Sequence, residues 1–270
     1  GYLVIAADPA TLATQGVAGT LGPFSGSLSN GGEEIRLVNN SGRQMDRLDY
    51  DDGGPWNQGG EWPVGPDGVG ATLAKINENR TSEAPDNWQT SVEAGGSPGA
   101  ANGSRSGLPA LKLNEIAAGG SGTFFVELQN RGSTPINADQ FVLRIDGALN
   151  IDYLLPTQVI GPEGYLTIDA SNLGATPVDG DRIFLLEETT QAVLDAQRVA
   201  DRLQGVSVAA QDRWLYPSGA TPGQDNLFAL QDDVVINEIF YHAPPQYAAA
   251  PDYVENDEEW LELYHRGDSP

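Results

Sequence analysis

The residues best equipped for chemistry in this 270-residue chain are carboxylates. Asp49, Tyr50, Asp51, Asp52, Gly53 and Gly54 follow one another. Clustered carboxylates in a turn supply part of the roughly six to eight oxygen ligands that calcium takes. The spacing departs from an EF-hand, because the fifth position from Asp49 is Gly53 and the twelfth is Gly60. Asp49, Asp51 and Asp52 are therefore the candidate metal ligands, for calcium, set against the plainer reading of a solvated turn at a strand end. A second acidic run, Asp252, Glu255, Asp257, Glu258 and Glu259, reads as a solvated loop. Trp56 and Trp62 lie just beyond the first run. An aromatic face buries sugar C–H groups while nearby acids accept from hydroxyls, so these two are the candidate ligand-binding residues, for carbohydrate. The plainer reading has them plugging their loop onto the fold.

Glu115 and Glu238 each follow an asparagine in a repeated apolar strand. A catalytic carboxylate can look like this. Its recurrence beside loops that differ favours a structural role, pairing with an arginine or bonding backbone. His242 and His265 lack both cysteine partners and His-x-x-x-His spacing, which argues against zinc. No Gly-x-Ser-x-Gly elbow and no phosphate loop occurs. No catalytic residue is assigned, and the chain is not read as an enzyme. Arg266, Gly267 and Asp268 match the adhesion tripeptide recognised by integrins, but align with Arg131-Gly132-Ser133, which reads as an ordinary turn after a strand. Asn79-Arg80-Thr81 and Asn102-Gly103-Ser104 are glycosylation sequons.

The elements that must position these residues are repeated. Leu111 to Ile116 (Leu-Lys-Leu-Asn-Glu-Ile) returns at Val234 to Ile239 as Val-Val-Ile-Asn-Glu-Ile, and Phe124 to Gly132 returns at Glu259 to Gly267. Gly1 to Ala6 reads as an apolar strand with its counterpart at Gly164 to Asp169. Glu34 to Val38 and Gln44 to Tyr50 flank Asn39-Asn40-Ser41-Gly42, a hairpin signal. Gly32, Ile35 and Leu37 match Gly180, Ile183 and Leu185. Ser97-Pro98-Gly99-Ala100-Ala101-Asn102 closes one repeat and Thr221-Pro222-Gly223-Gln224-Asp225-Asn226 the next, with Trp88 and Trp214 as equivalent anchors. The stretch from Asp51 to Gly70 reads as an insertion. Residues 1–102 are thus expected to be the back part of a first domain, 111–226 a second domain, and 234–270 the opening strands of a third. The short linkers 103–110 and 227–233 imply a semi-rigid string.

Short strands between turn signals, without a sustained helical period, predict an all-β fold of sandwich type. In Phe125-Val126-Glu127-Leu128 and Trp260-Leu261-Glu262-Leu263, apolar residues alternate with glutamate, the pattern of a sheet with one wet face.

These runs resemble the lamin-tail domain in its divergent bacterial form. The resemblance rests on Asn237-Glu238-Ile239 with Glu259 to Leu263, on Gly1 to Ile5, on Leu28-Ser29-Asn30-Gly31-Gly32-Glu33 and on Ser97-Pro98-Gly99. Residues 111–226 depart from it, lacking the Leu-Ser-Asn-Gly-Gly-Glu run and carrying Phe141 where a tryptophan is usual. The resemblance implies tandem immunoglobulin-like β-sandwiches, one complete and two partial. It implies a non-catalytic structural or adhesive repeat module of a large extracellular or cell-surface bacterial protein or filament, whose partners are neighbouring repeats or other subunits. The alternative is an accessory module that binds calcium or carbohydrate for a distant catalytic domain, such as a CotH-like kinase or a hydrolase.

Composition narrows the partners. The formal charge is −24, from 38 acidic and 14 scattered basic residues, a surface that repels phosphates, so no nucleic-acid partner is expected. No apolar run is long enough to span a bilayer, so no membrane insertion is expected, and no stretch reads as a signal peptide. With no cysteine, thiolate metal sites and disulfides are excluded.

Overall fold

The structure is a computed structural model of the chain and describes residues 1–52, 62–229, 233–241, 246–247, 253–254 and 259–267, with backbone alone at 246–247 and 253–254. It is all-β; among the described residues the sheets are antiparallel and the α-helices are two short ones, beside four 3-10 turns. It forms two compact units, Gly1–Leu227 and Phe228–Pro270.

The first unit begins with α1 (Pro9–Thr14), capped by Asp8, whose carboxylate accepts from the amides of Ala10 and Thr11. A hairpin of β1 (Gly32–Val38) and β2 (Gln44–Asp51) follows, then the pair β3 (Leu73–Lys75) and β4 (Trp88–Thr90). Gly1 to Ala6, expected as a strand, makes only an isolated bridge from Ile5 to Leu21. Its counterpart is a strand because a neighbour along its whole length satisfies its backbone groups; no such ladder runs beside Gly1 to Ala6 among the described residues.

Residues 111–226 form a two-layer β structure. Its strands are β5 (Leu111–Ile116), β6 (Phe125–Asn130), β7 (Ile136–Asn137), β8 (Phe141–Asp146), β9 (Ile151–Leu154), β10 (Val159–Ile160) and β11 (Tyr165–Asp169). After α2 (Ala170–Leu173) come β12 (Arg182–Glu187), β13 (Val193–Arg198), β14 (Gln204–Ser207) and β15 (Arg213–Leu215). One sheet has the order β11-β6-β5-β14-β15 and the other β13-β12-β8-β9. Alternation along each strand aims one set of side chains inward. Leu111, Leu113, Val126, Leu128 and Ile168 from the first sheet meet Leu143, Ile145, Ile183, Leu185 and Leu194 from the second in one core. Phe141 is buried there too.

Residues on both sides of the stretch 103–110 belong to the same compact unit and touch one another. Phe184, Leu186 and Val193 on the outer face of the four-stranded sheet pack against Val69 and Ala71. Val69, at the end of the stretch read as an insertion, and Ala71 just beyond it therefore cover a second apolar surface. Arg105, inside the expected linker, donates to the carbonyls of Thr90 and Ser91 and to those of Val193 and Leu194. One guanidinium thus joins four backbone acceptors from the two stretches that the linker connects.

The second unit contains β16 (Val234–Phe240), β17 (Gln246–Tyr247), β18 (Tyr253–Val254) and β19 (Trp260–His265). β16 pairs with β19 and β17 with β18.

Candidate functional site

The repeated Asn-Glu strand builds the most elaborate polar cluster in the first unit. β5 carries a bulge between Leu113 and Glu115, so Asn114 is the extra residue and Glu115 faces Glu127 of β6 directly. Two like charges opposite one another on one face of a sheet repel. Both residues are also fully buried, with no exposed surface at either. A buried carboxylate is tolerated only where donors surround it.

Those donors come from far along the chain. Thr221 aims its amide at both Glu115 oxygens, 3.1 Å from each. Glu127 accepts from the amide of Gly223, from the Asn114 side chain at 3.0 Å and from the Thr167 hydroxyl at 3.0 Å. Asn226 donates its Nδ2 to the carbonyls of Asn114 and Val206, both at 3.0 Å. Asp225 accepts from the Tyr165 hydroxyl at 2.7 Å. The closing segment Thr221–Asn226 is therefore a strap laid across the outer face of the five-stranded sheet.

Local sequence explains the strap's shape. Pro222 sets the first central position of a turn and Gly223 the second, at φ +78°, a combination that only glycine adopts freely. The turn closes through Gln224 N–H to the Thr221 carbonyl. Gly205 of β14 has no side chain because the Asn226 amide occupies that space; a Cβ there would lie 2.8 Å from it.

Burial is the main cause that pushes the Glu115 carboxyl up from 4.5 to about 6, against the lowering effect of the Thr221 amide and with a further push from Glu127. Burial and the bond to Asp225 likewise raise the Tyr165 hydroxyl. Each carboxylate oxygen is directed at protein donors. The arrangement holds a segment in place and presents no open nucleophile or base.

Part of this construction recurs in residues 73–102 and part in the second unit. Ser97-Pro98-Gly99-Ala100 makes the same turn, with Gly99 at φ +80° and Ala100 N–H to the Ser97 carbonyl. Asn102 donates to the Lys75 carbonyl at 2.9 Å, as Asn226 does to Val206. Lys75 pairs with Trp88 as Val206 pairs with Trp214. In β16 the bulge falls between Ile236 and Glu238, Glu238 faces Glu262, and Asn237 Nδ2 donates to Glu262.

The candidate calcium ligands are placed differently from a cation loop. Asp49 projects from β2 and pairs with Arg47. Asp52 pairs with Arg198 of β13 at 3.2 Å. Asp51 and Asp52 do share a cleft of about 350 Å³ with Ser29, Tyr50, Asp67 and Arg182. Asp67 pairs with Arg182 at 2.6 Å and with Arg198 at 3.2 Å. Two arginines from the four-stranded sheet thus pair with the carboxylates of Asp52 and Asp67 and tie these two residues to that sheet. Among the described residues, no group of three or more histidine, cysteine, aspartate or glutamate side chains could hold a metal ion.

Trp62 is 4% exposed and tilts against Trp88 with ring centroids 6.2 Å apart, so it offers no face to a sugar. Trp56, His242, Asp268 and most of the second acidic run lie outside the described residues, whereas His265 is exposed at the end of β19. The sequon residue Asn102 spends its side-chain amide on Lys75. Sequence reasoning singled out Glu115 but missed Glu127, Thr221, Gly223 and Asn226 as its partners. The signal was there in the pairing of two repeated motifs, Asn-Glu and Ser/Thr-Pro-Gly-x-x-Asn.

No protein-family model, curated protein or solved structure matches the chain. Among the described residues, no helix is long and apolar enough to cross a membrane.

Proposed function

We propose that the chain is a non-catalytic structural or adhesive module from a tandem array, built of immunoglobulin-like sandwiches related to the lamin-tail domain and working outside the cell or at its surface. The observation that carries this reading is the use made of the repeated glutamates. Glu115 and Glu127 spend their oxygens on the strap and on Asn114 and Thr167 of the sheet itself, so the part of the sequence that repeats serves construction. The order β13-β12-β8-β9 against β11-β6-β5 is the pairing expected of an immunoglobulin-like sandwich. The anchoring of residues 62–105 on the second sandwich supports a stiff connection between neighbouring repeats.

The reading is tested by pulling the full chain from its two ends in a single-molecule force experiment. A module that transmits tension shows a resisted step in which residues 111–226 release about 400 Å of chain. Extension of that stretch without a force peak overturns it.

A further inference from the structure

The second unit displays the receiving half of a strap site. Asn237, Glu238 and Glu262 stand in the register of Asn114, Glu115 and Glu127, with the bulge at the same place. The asparagine-to-glutamate bond is made in both. In the first unit these groups are buried under Thr221–Asn226; in the second all three are exposed. The carboxylates of Glu238 and Glu262 and the carbonyl of Asn237 correspond to acceptors that elsewhere in the same molecule take the amides of Thr221 and Gly223 and the side chain of Asn226.

We infer that the outer face of β16–β19 is a binding surface for a turn-forming segment of the type Ser/Thr-Pro-Gly-x-x-Asn. Three features of the chemistry select this occupant. The Pro-Gly turn presents the first and third amides on one side without further ordering, which lowers the entropy of binding. Amide donors on ionised carboxylates make stronger bonds than neutral pairs. The terminal asparagine matches a bulged carbonyl that has no strand partner of its own. Both complete straps in this chain, Ser97–Asn102 and Thr221–Asn226, have that sequence and that turn. The surface binds such a segment whether or not the array transmits tension.

The probe is a synthetic peptide with the sequence of residues 218–228, blocked at both ends and titrated to millimolar concentration onto the ¹⁵N-labelled full chain. Saturable shifts are expected at Asn237, Glu238 and Leu261 to Leu263. The amides of Glu115 and Glu127, already covered, serve as the internal reference and stay in place. The double variant Glu238→Gln/Glu262→Gln, at exposed positions that leave the core untouched, weakens binding at least ~10-fold, as loss of bonds to charged acceptors requires. A peptide carrying alanine for the final asparagine weakens it as well. Concentration-dependent self-association that shifts both this face and Ser97–Asn102, and that the double variant abolishes, also supports the inference, with a second copy supplying the strap. No saturable shift, an equal response to a scrambled peptide, or binding indifferent to the two glutamates overturns it.

Discussion

The strand pairs β5–β6 and β16–β19 carry the same Asn-Glu and Glu-Leu residues in the same register and differ in what covers them. On the inner face, Val126 and Leu128 are fully buried, whereas their counterparts Leu261 and Leu263 are 55% and 59% exposed. On the outer face, Glu115 and Glu127 are enclosed by the strap while Glu238 and Glu262 stand in the open. The bulge and the Asn-to-Glu bond survive in both. They are therefore local properties of the Asn-Glu strand and its partner, whereas burial is conferred by distant segments. The comparison separates what a two-stranded ladder specifies from what a second layer adds.

The largest expected effect breaks this comparison at the inner face. Leu128→Ala removes a fully buried side chain from the core and costs about 2–5 kcal/mol of stability. Leu263→Ala removes the same atoms from an exposed strand and changes stability by about 0.5 kcal/mol or less. Urea unfolding of the two variants measures the difference. Equal losses would mean that β16–β19 is covered in solution and that the contrast is wrong.

A middle-sized effect sharpens the comparison at the strap. Asn226→Ala leaves the carbonyls of Asn114 and Val206 without their donor at a buried site and costs about 2–4 kcal/mol. Asn102→Ala, at the equivalent but exposed position with one bond to Lys75, costs about 1 kcal/mol or less. Thermal or chemical unfolding of both variants ranks them. If Asn102→Ala proves as damaging, the first strap is seated on something beyond Lys75.

The same contrast explains what the amino-acid sequence reveals. The Asn-Glu-Ile strand, the Phe-Val-Glu-Leu strand and the Pro-Gly closings are legible because they repeat, and the hairpin β1–β2 because Asn39 to Gly42 is turn chemistry. The meeting of Thr221 with Glu115 is not legible, since nothing local to either residue names a partner about a hundred positions away. Tertiary packing alone decides whether Trp62 is a platform or a plug, because both readings use the same ring. The contacts that join residues 62–105 to residues 111–226 are hidden for a related reason. Arg105, Arg182 and Arg198 look like scattered surface charges in sequence, and only the folded chain sets them against Val193, Asp67 and Asp52. Gly1 to Ala6 shows the converse: a sequence apolar enough for a strand forms none without a ladder beside it.

The smallest effect concerns the charge under the strap. Burial raises Glu115 from 4.5 to about 6, with Glu127 opposite adding to the rise. A carboxyl whose folded value exceeds its unfolded one favours the folded state when protonated. Its contribution is fully present below about pH 4.5 and is lost as pH climbs through about 6. A shift of this size corresponds to about 2 kcal/mol. Glu115→Gln keeps one acceptor for the Thr221 amide and removes the ionisation. Every other carboxylate is common to both proteins, so the difference in their stabilities reports the ionisation of Glu115 together with its repulsion of Glu127. Wild type should lose about 1.5 kcal/mol relative to Glu115→Gln between pH 4.5 and pH 7, with most of the loss between pH 4.5 and pH 6. Urea midpoints at several pH values supply the measurement. A difference that stays constant across that range would show that the strap leaves Glu115 in contact with water, and the enclosure that distinguishes β5–β6 from β16–β19 would then rest on the inner face alone.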